Sequence, residues 1–334
     1  MTTTLASLGE FGFISRLAAA VQPGVGVVTG IGDDAAVTVL TPGMHLLASA
    51  DMLLEDVHFR RSWHDPYRLG RKSLAVNISD IAAMGAIPRW ALLCLAIPAD
   101  MPLEFLDAFN RGVLAMAAEH GVTLIGGDTC SSRDRLAISV TIMGEQHPER
   151  ILRRSGAQPG EEIWVSGCLG DAALGLRLLE KGTAPWSDDE QRLLARLLDP
   201  TPRSAFGIAL AESGLVSAMI DISDGLLSDF GHMARLSGVG GEIQLAVLPL
   251  SAPFRSATAH LPTPPYHLCL SGGEDYELAF TAPAEHREKI LGIAKKCGID
   301  ATPVGIVTSS AEIAAFDAEG HRYTPEHQGF NHFT

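Results

Sequence analysis

A stretch rich in arginine, proline and glycine, residues 147–160, interrupts an otherwise regular succession of helix-length and strand-length apolar segments. It carries Pro148, Arg150, Arg153, Arg154 and Pro159-Gly160, and such residues end regular structure more readily than they continue it. The same mixed pattern stands on both sides of the break. A chain of 334 residues is long enough for two ordinary domains. Two mixed α/β domains are therefore expected, over residues 1–148 and 149–334.

In the first half, Phe11, Ile14, Leu17 and Val21 form one helical stripe over 10–21, with Ser7 and Glu10 at capping-box spacing. Strand-like runs at 35–40 and 44–50, joined by Thr41-Pro42-Gly43, predict a hairpin. Asp65-Pro66 reads as N-cap and first-turn proline of a helix that ends near Gly85, before Pro88. A buried strand is expected at 89–97, a helix at 102–120 closed by Gly121, and strands at 122–125 and 136–143. In the second half the pattern predicts strands at 162–166, 243–247, 277–281, 304–307 and 312–316. Helices are expected at 171–181, 203–212, 226–236 and 284–297, and a surface loop at 182–189.

Charge narrows the partners. Twenty-five basic residues against 39 acidic ones leave a net charge of −14, which disfavours nucleic acid and anionic membrane surfaces. Only Lys72, Lys181, Lys289, Lys295 and Lys296 are lysines, so a polyphosphate ligand would need metal ions for much of its counter-charge. Cys94, Cys130, Cys168, Cys269 and Cys297 are far apart and lack C-x-x-C spacing; they read as buried thiols of a reducing compartment. The apolar run from Trp90 to Ala99 is too short to span a bilayer, and no basic segment followed by an apolar run opens the chain. A cytoplasmic location is expected.

Familiar nucleotide signatures are missing. There is no G-x-x-x-x-G-K-[ST] loop. Asp229-Phe230-Gly231 spells the kinase D-F-G without its companion motifs, so it reads as coincidence and Phe230 as core. What remains is a series of acids among small residues: Gly32-Asp33-Asp34-Ala35, Ser49-Ala50-Asp51, Asn77-Ile78-Ser79-Asp80, Gly126-Gly127-Asp128-Thr129, Asp221-Ile222-Ser223-Asp224-Gly225 and Gly272-Gly273-Glu274-Asp275. Mg²⁺ wants about six oxygen ligands, and small neighbours let phosphate and backbone oxygens approach. Each acid alone has a plainer explanation as a turn residue or helix cap. Asp80 tips the balance, because it sits in an apolar helical stretch where a buried carboxylate needs a cation or donors.

Taken in order, these motifs together with Val57-His58-Phe59, Arg154-Ser155-Gly156-Ala157 and Ser271-Gly272-Gly273-Glu274-Asp275-Tyr276-Glu277-Leu278 resemble the thiamine-monophosphate kinases. These belong to the aminoimidazole-ribonucleotide-synthetase-like superfamily. The resemblance implies a two-domain α/β fold and a homodimer joined through its N-terminal sheets. It implies transfer of phosphate from ATP, as co-substrate, to thiamine monophosphate with the help of several Mg²⁺ ions. By the same resemblance Asp34, Asp51, Asp80, Asp128, Asp221 and Asp224 would be metal ligands, with Ser49 and Ala50 beside them. Gly127, Asp128, Arg154 and Ser223 would contact ATP, and His58, Glu274 and Phe330 thiamine monophosphate. Two departures stand out. Ala50-Asp51-Met52 replaces the usual Thr-Asp-Thr, which leaves only a backbone carbonyl at position 50, and Asp56 stands where glycine is usual.

The chemistry implied needs no general base, because the attacking phosphate oxygen is already ionised at neutral pH. Two other readings stay open: a sister enzyme of the superfamily with another acceptor, and a non-catalytic Mg-nucleotide-binding protein. A selenophosphate synthetase normally carries a reactive Cys or Sec near its N-terminus, whereas the first cysteine here is Cys94.

Overall fold

The computed structural model describes residues 9–182, 184–325, 327 and 329. Its contacts divide the chain into unit 1, Met1–Ile81 with Ala86–Glu149, and unit 2, Ala82–Gly85 with Arg150–Thr334.

Unit 1 opens with helix α1 (Glu10–Ala20); Ser7 lies outside the described residues. A two-stranded ribbon follows, β1 (Val27–Thr29) with β2 (Val37–Thr38). The main sheet contains β3 (His45–Leu54), β4 (Ile87–Pro98), β5 (Thr123–Ser132) and β6 (Ala137–Gln146), in the order β3-β6-β4-β5. The β4–β5 pair is parallel and the other two pairs antiparallel. The expected hairpin of 35–40 with 44–50 does not form. β2 pairs with β1, and β3 with β6. The reversal at Thr41-Pro42-Gly43 survives as a turn, with Met44 N–H donating to the Thr41 carbonyl. Its first residue is tied elsewhere: Thr41 N–H and Oγ1 both donate to the Glu145 carboxylate on β6, at 2.9 and 2.7 Å.

Helix α2 (Pro66–Ala83) begins where Asp65 Oδ1 accepts the Arg68 N–H at 3.0 Å, and ends at Gly85, whose φ of 66° breaks the helical turn. It buries Leu69, Leu74, Ile78 and Ile81, each contributing about 1.5–3 kcal/mol of transfer free energy. Helix α3 (Leu103–His120) lies close against it. A Cβ on Gly70 would stand 2.0 Å from the Phe109 carbonyl oxygen, and one on Gly112 would stand 1.9 Å from that of Tyr67.

Alternation along β3 separates two faces of the sheet. Leu47 and Leu53 are buried, and Ser49 and Asp51 half-buried, on the face that meets α2. Leu46, Ala48, Ala50 and Met52 are exposed on the other. Register places Met52, Ser139 and Cys94 in one row across β3, β6 and β4. Cys94 and Cys130 are accordingly exposed, contrary to the expectation of buried thiols; Cys269 alone of the five is buried.

Unit 2 is built on a seven-stranded sheet of β7 (Glu162–Ser166), β8 (Ala218–Ile222), β9 (Gly240–Gln244), β10 (Glu277–Ala282), β11 (Ala301–Thr308), β12 (Ile313–Phe316) and β13 (Arg322–Tyr323). Its order is β13-β12-β9-β11-β7-β10-β8. Seven helices accompany it among the described residues: α4 (Asp171–Lys181), α5 (Asp188–Leu198), α6 (Ser204–Ser213), α7 (Leu226–Ser237), α8 (Ala252–Thr258), α9 (Tyr266–Ser271) and α10 (Arg287–Lys296). The expected strand at 243–247 is instead the end of β9 running into a 3₁₀ turn, Leu245–Val247. The expected loop at 182–189 gives way at Ser187, where a capping box with Glu190 starts α5. A 3₁₀ turn, Ala284–His286, precedes α10 in the segment read as one helix. Phe230 is fully buried in the main core with Ile163, Val165, Ile220 and Leu226.

Candidate active site

In unit 1 three of the expected ligands, Ser49, Asp51 and Asp80, meet where β3 passes α2. Ser49 Oγ donates to Asp80 Oδ2 at 2.5 Å, and Asn77 Oδ1 accepts the Asp51 N–H at 3.1 Å. Asn77 is itself buried and held by a bond from its Nδ2 to the Ser73 carbonyl at 3.0 Å. Strand alternation brings Ser49 and Asp51 to one side, and the i, i+3 spacing of α2 brings Asn77 and Asp80 opposite. Burial, and then the neighbouring charge of Asp80, push the Asp51 carboxyl up to about 6. Position 50 points to the opposite face, so a hydroxyl there would face away from Asp80. The Ala50 substitution removes no side chain from this pair.

Asp34 is exposed, and its N–H donates to Asp33 Oδ1 at 2.9 Å. Asp128 is exposed on β5, in register with Cys94. Gly127 before it has a φ of 150°, and a Cβ there would stand 1.8 Å from the Leu93 carbonyl oxygen; only glycine fits. His58 Nδ1 accepts the Leu54 N–H at 3.0 Å, which leaves the proton of the neutral ring on Nε2. Asp56 adopts a φ of 67°. This explains why glycine suits the position, and why aspartate, which tolerates left-handed backbone, can replace it.

In unit 2 the segment Asp221–Gly225 leads from β8 into α7. Asp221 is buried, and Ser223 and Asp224 are half-buried. Gly225 is the N-cap and supplies no side chain. The loop before the helix is held by Asp229: its Oδ2 accepts the N–H groups of Ser223, Asp224 and Gly225 at 2.9, 3.0 and 3.1 Å. Burial pushes the Asp229 carboxyl up to about 7, and Asp224 adds to the rise against the three amide donors. Sequence reading missed this residue by setting aside Asp229-Phe230-Gly231 as a whole. The available signal was an acid four residues beyond a Gly-started helix.

The segment carrying Glu274 lies against the same loop. Glu274 and Tyr276 N–H donate to the carbonyls of Ser223 and Ile222, each at 2.8 Å. Both residues have positive φ, 70° and 49°. Between them the fully buried Asp275 accepts the Gly170 N–H, and burial raises its carboxyl well above the usual range. Arg154 is exposed, and its backbone carbonyl accepts from Ser237 Oγ, which in turn takes the Gly156 and Ala157 N–H groups. Phe330 lies outside the described residues.

Among the described residues, one group of three brings its Asp, Glu, His or Cys ligand atoms within 4.8 Å of one another: Asp317, Glu319 and His321. There Asp317 Oδ1 accepts the Glu319 and His321 N–H groups, which makes it a turn. Within unit 1 the expected ligands form the pair Asp51–Asp80 and no tighter cluster. No helix among the described residues is long and apolar enough to cross a membrane.

Residues 32–146 match the family model of the AIR synthase related protein N-terminal domain, and residues 158–318 match that of its C-terminal domain. The thiamine-monophosphate kinase of Salmonella typhimurium is 38% identical over 328 residues, covering 97% of this chain and 98% of the relative. The chain belongs to the thiamine-monophosphate kinase family. A crystal structure of the thiamine-monophosphate kinase of Stenotrophomonas maltophilia superposes with a TM-score of 0.82 at 37% identity, over 94% of this chain and 98% of its own. The structure of AaThiL complexed with AMPPCP and TMP superposes with a TM-score of 0.78 at 33% identity, covering all of both chains. The family is one of phosphotransferases, and the AIR-synthase-type α/β fold expected from the motifs is the fold observed.

Proposed function

We propose that this chain transfers the terminal phosphoryl group of ATP to the phosphate of thiamine monophosphate, giving ADP and thiamine diphosphate, in the cytoplasm. Near-full-length similarity to thiamine-monophosphate kinases carries the reading. The neighbour's pairing of an ATP analogue with TMP, taken as thiamine monophosphate, supports the two substrates.

Magnesium fits the donor set. Ser49, Asp51, Asn77 and Asp80 offer only oxygen toward one another, apart from the engaged Asn77 amide, and Asp51 sits beside another acid with nothing to lower its pKa. A hard cation matches such a set. Asp34, Ser49, Ala50 through its carbonyl, Asp51, Asp80 and Asp128 are assigned to hold Mg²⁺ in unit 1, and Asp221 and Asp224 in unit 2. When bound, Mg²⁺ supplies charge neutralisation between two polyanions.

The chain's own residues would do the rest. Gly127 lets backbone come close to phosphate oxygens, Arg154 adds a forked cation, and the Ser223 hydroxyl orients the nucleotide. His58 presents an Nε2–H donor toward the acceptor phosphate, and Glu274 complements its cationic ring, with Phe330 assigned to stack on it. No side chain removes a proton, and in-line transfer follows from alignment. A homodimer through the unit 1 sheet is supported by the apolar open face, where Leu46 and Met52 are 53% and 56% exposed.

The test is ADP release with ATP and Mg²⁺, with and without thiamine monophosphate, and the product identified by mass. Release that needs both, with thiamine diphosphate formed, is the expected result. Turnover only with a different acceptor would replace this reading with a sister activity.

A further inference from the structure

Helix N-termini with open amides attract phosphate, because several N–H groups point at one place. The turn that leads into α7 presents three successive N–H groups of this kind, yet these loop amides are already taken. One oxygen of Asp229, a residue only 3% exposed, accepts from Ser223, Asp224 and Gly225 in succession. The carbonyls of Ile222 and Ser223 are taken as well, by Tyr276 and Glu274. The loop is also sterically fixed: a Cβ on Gly225 would stand 2.8 Å from Ser271, and one on Gly273 would stand 2.6 Å from the Ser223 carbonyl oxygen.

We propose that Asp229 is a positioning residue of the phosphoryl-transfer site. By filling the amide nest with an internal carboxylate it commits the Asp221–Gly225 loop to receive cations, and confines Ser223's nucleotide contact to its hydroxyl. A phosphate cannot share the nest with a carboxylate, through both volume and charge. The side chains the loop carries are two carboxylates and a hydroxyl, oxygen donors of the kind a hard cation takes. This rests on the proposed metal role of Asp221 and Asp224, and refines it: Ser223 does not bind ATP through its backbone.

The test compares wild type with Asp229→Ala and Asp229→Asn. In Asp229→Ala, hydrogen exchange of the Ser223–Gly225 amides rises relative to that of β8 and α7, and inorganic phosphate restores protection. Phosphate gives no such protection in wild type. In a titration followed by electron paramagnetic resonance, Mn²⁺ binding with AMPPCP weakens by about tenfold or more. Asp229→Asn keeps an acceptor oxygen and shows a smaller loss; it carries the test if the alanine variant does not fold. Unchanged Mn²⁺ affinity in folded variants would overturn the proposal, since a merely structural residue lowers stability without moving metal affinity. So would phosphate protection of the wild-type amides. If these results hold while thiamine monophosphate is not turned over, the loop assignment stands and the acceptor reading fails.

Discussion

Two acid sites in this molecule are built on opposite principles. Glu277 in unit 2 is fully buried, and it accepts from Arg196 Nη2 at 2.8 Å, from Arg203 Nε at 2.7 Å and from Ser166 Oγ at 2.6 Å. Its charge is matched within the fold, so it is a structural element. Asp51 in unit 1 is half-buried beside Asp80, and both influences on it, burial and the like charge, oppose ionisation. One acid is satisfied by the chain itself, and the other, on the function proposed above, is satisfied by a bound cation. Acids of the second kind are candidates for functional sites, because perturbed carboxyl groups cluster there.

The largest effect that sharpens this contrast is expected at Asp51. Asp51→Asn should lower turnover at limiting Mg²⁺ by about 10³-fold, since metal stabilisation of transferring phosphate amounts to several kcal/mol. The fold should remain, as judged by circular dichroism and thermal melting. Near-normal turnover would break the comparison. Next comes Arg203→Met, which leaves Glu277 partly uncompensated and should cost about 3 kcal/mol in denaturant unfolding. Its half-saturating Mg²⁺ concentration should not change.

A pH series reads the Asp51 site directly. Asp51 binds its proton more tightly folded, at about 6, than an ordinary aspartate does at 3.8. Over and above the loss that Asp229 contributes up to about pH 7, Asp51 therefore contributes to the metal-free protein a loss of stability as pH rises from about 4 to about 6, by at most about 3 kcal/mol. Saturating Mg²⁺ should flatten that loss, and Asp51→Asn should remove it. Melting temperatures across pH 4–8 check both. The smallest effect is expected for Ser49→Ala, which deletes one hydroxyl from Asp80 and should change stability by about 1 kcal/mol in calorimetry.

Local chemistry explains which parts were legible in sequence. Helix α2 announced itself because Asp65-Pro66, its apolar stripe and Gly85 all act within one segment, and the motif Asn77–Asp80 came with it. The pairing of β2 was not legible: turn residues fix a reversal, but the partner is chosen by distant contacts such as Thr41 with Glu145. Cys94 was misread because an apolar strand has two faces, and composition does not say which one is covered. Asp229 was missed because its role depends on a backbone nest that exists only once the loop has folded. The aspartate-for-glycine exchange at position 56 was visible as a departure, and its reason, a positive φ, was not.

The central claim is that the Asp51–Asp80 pair is a seat for a cation that serves phosphoryl transfer. Its most direct test is a Mn²⁺ titration with AMPPCP, followed by electron paramagnetic resonance, of wild type and Asp51→Asn, with Mg²⁺ as competitor. Asp51→Asn is expected to lose at least one bound Mn²⁺, displaceable by Mg²⁺ in wild type, while its metal-free fold is unchanged. Equal Mn²⁺ occupancy and affinity in the two proteins would contradict it.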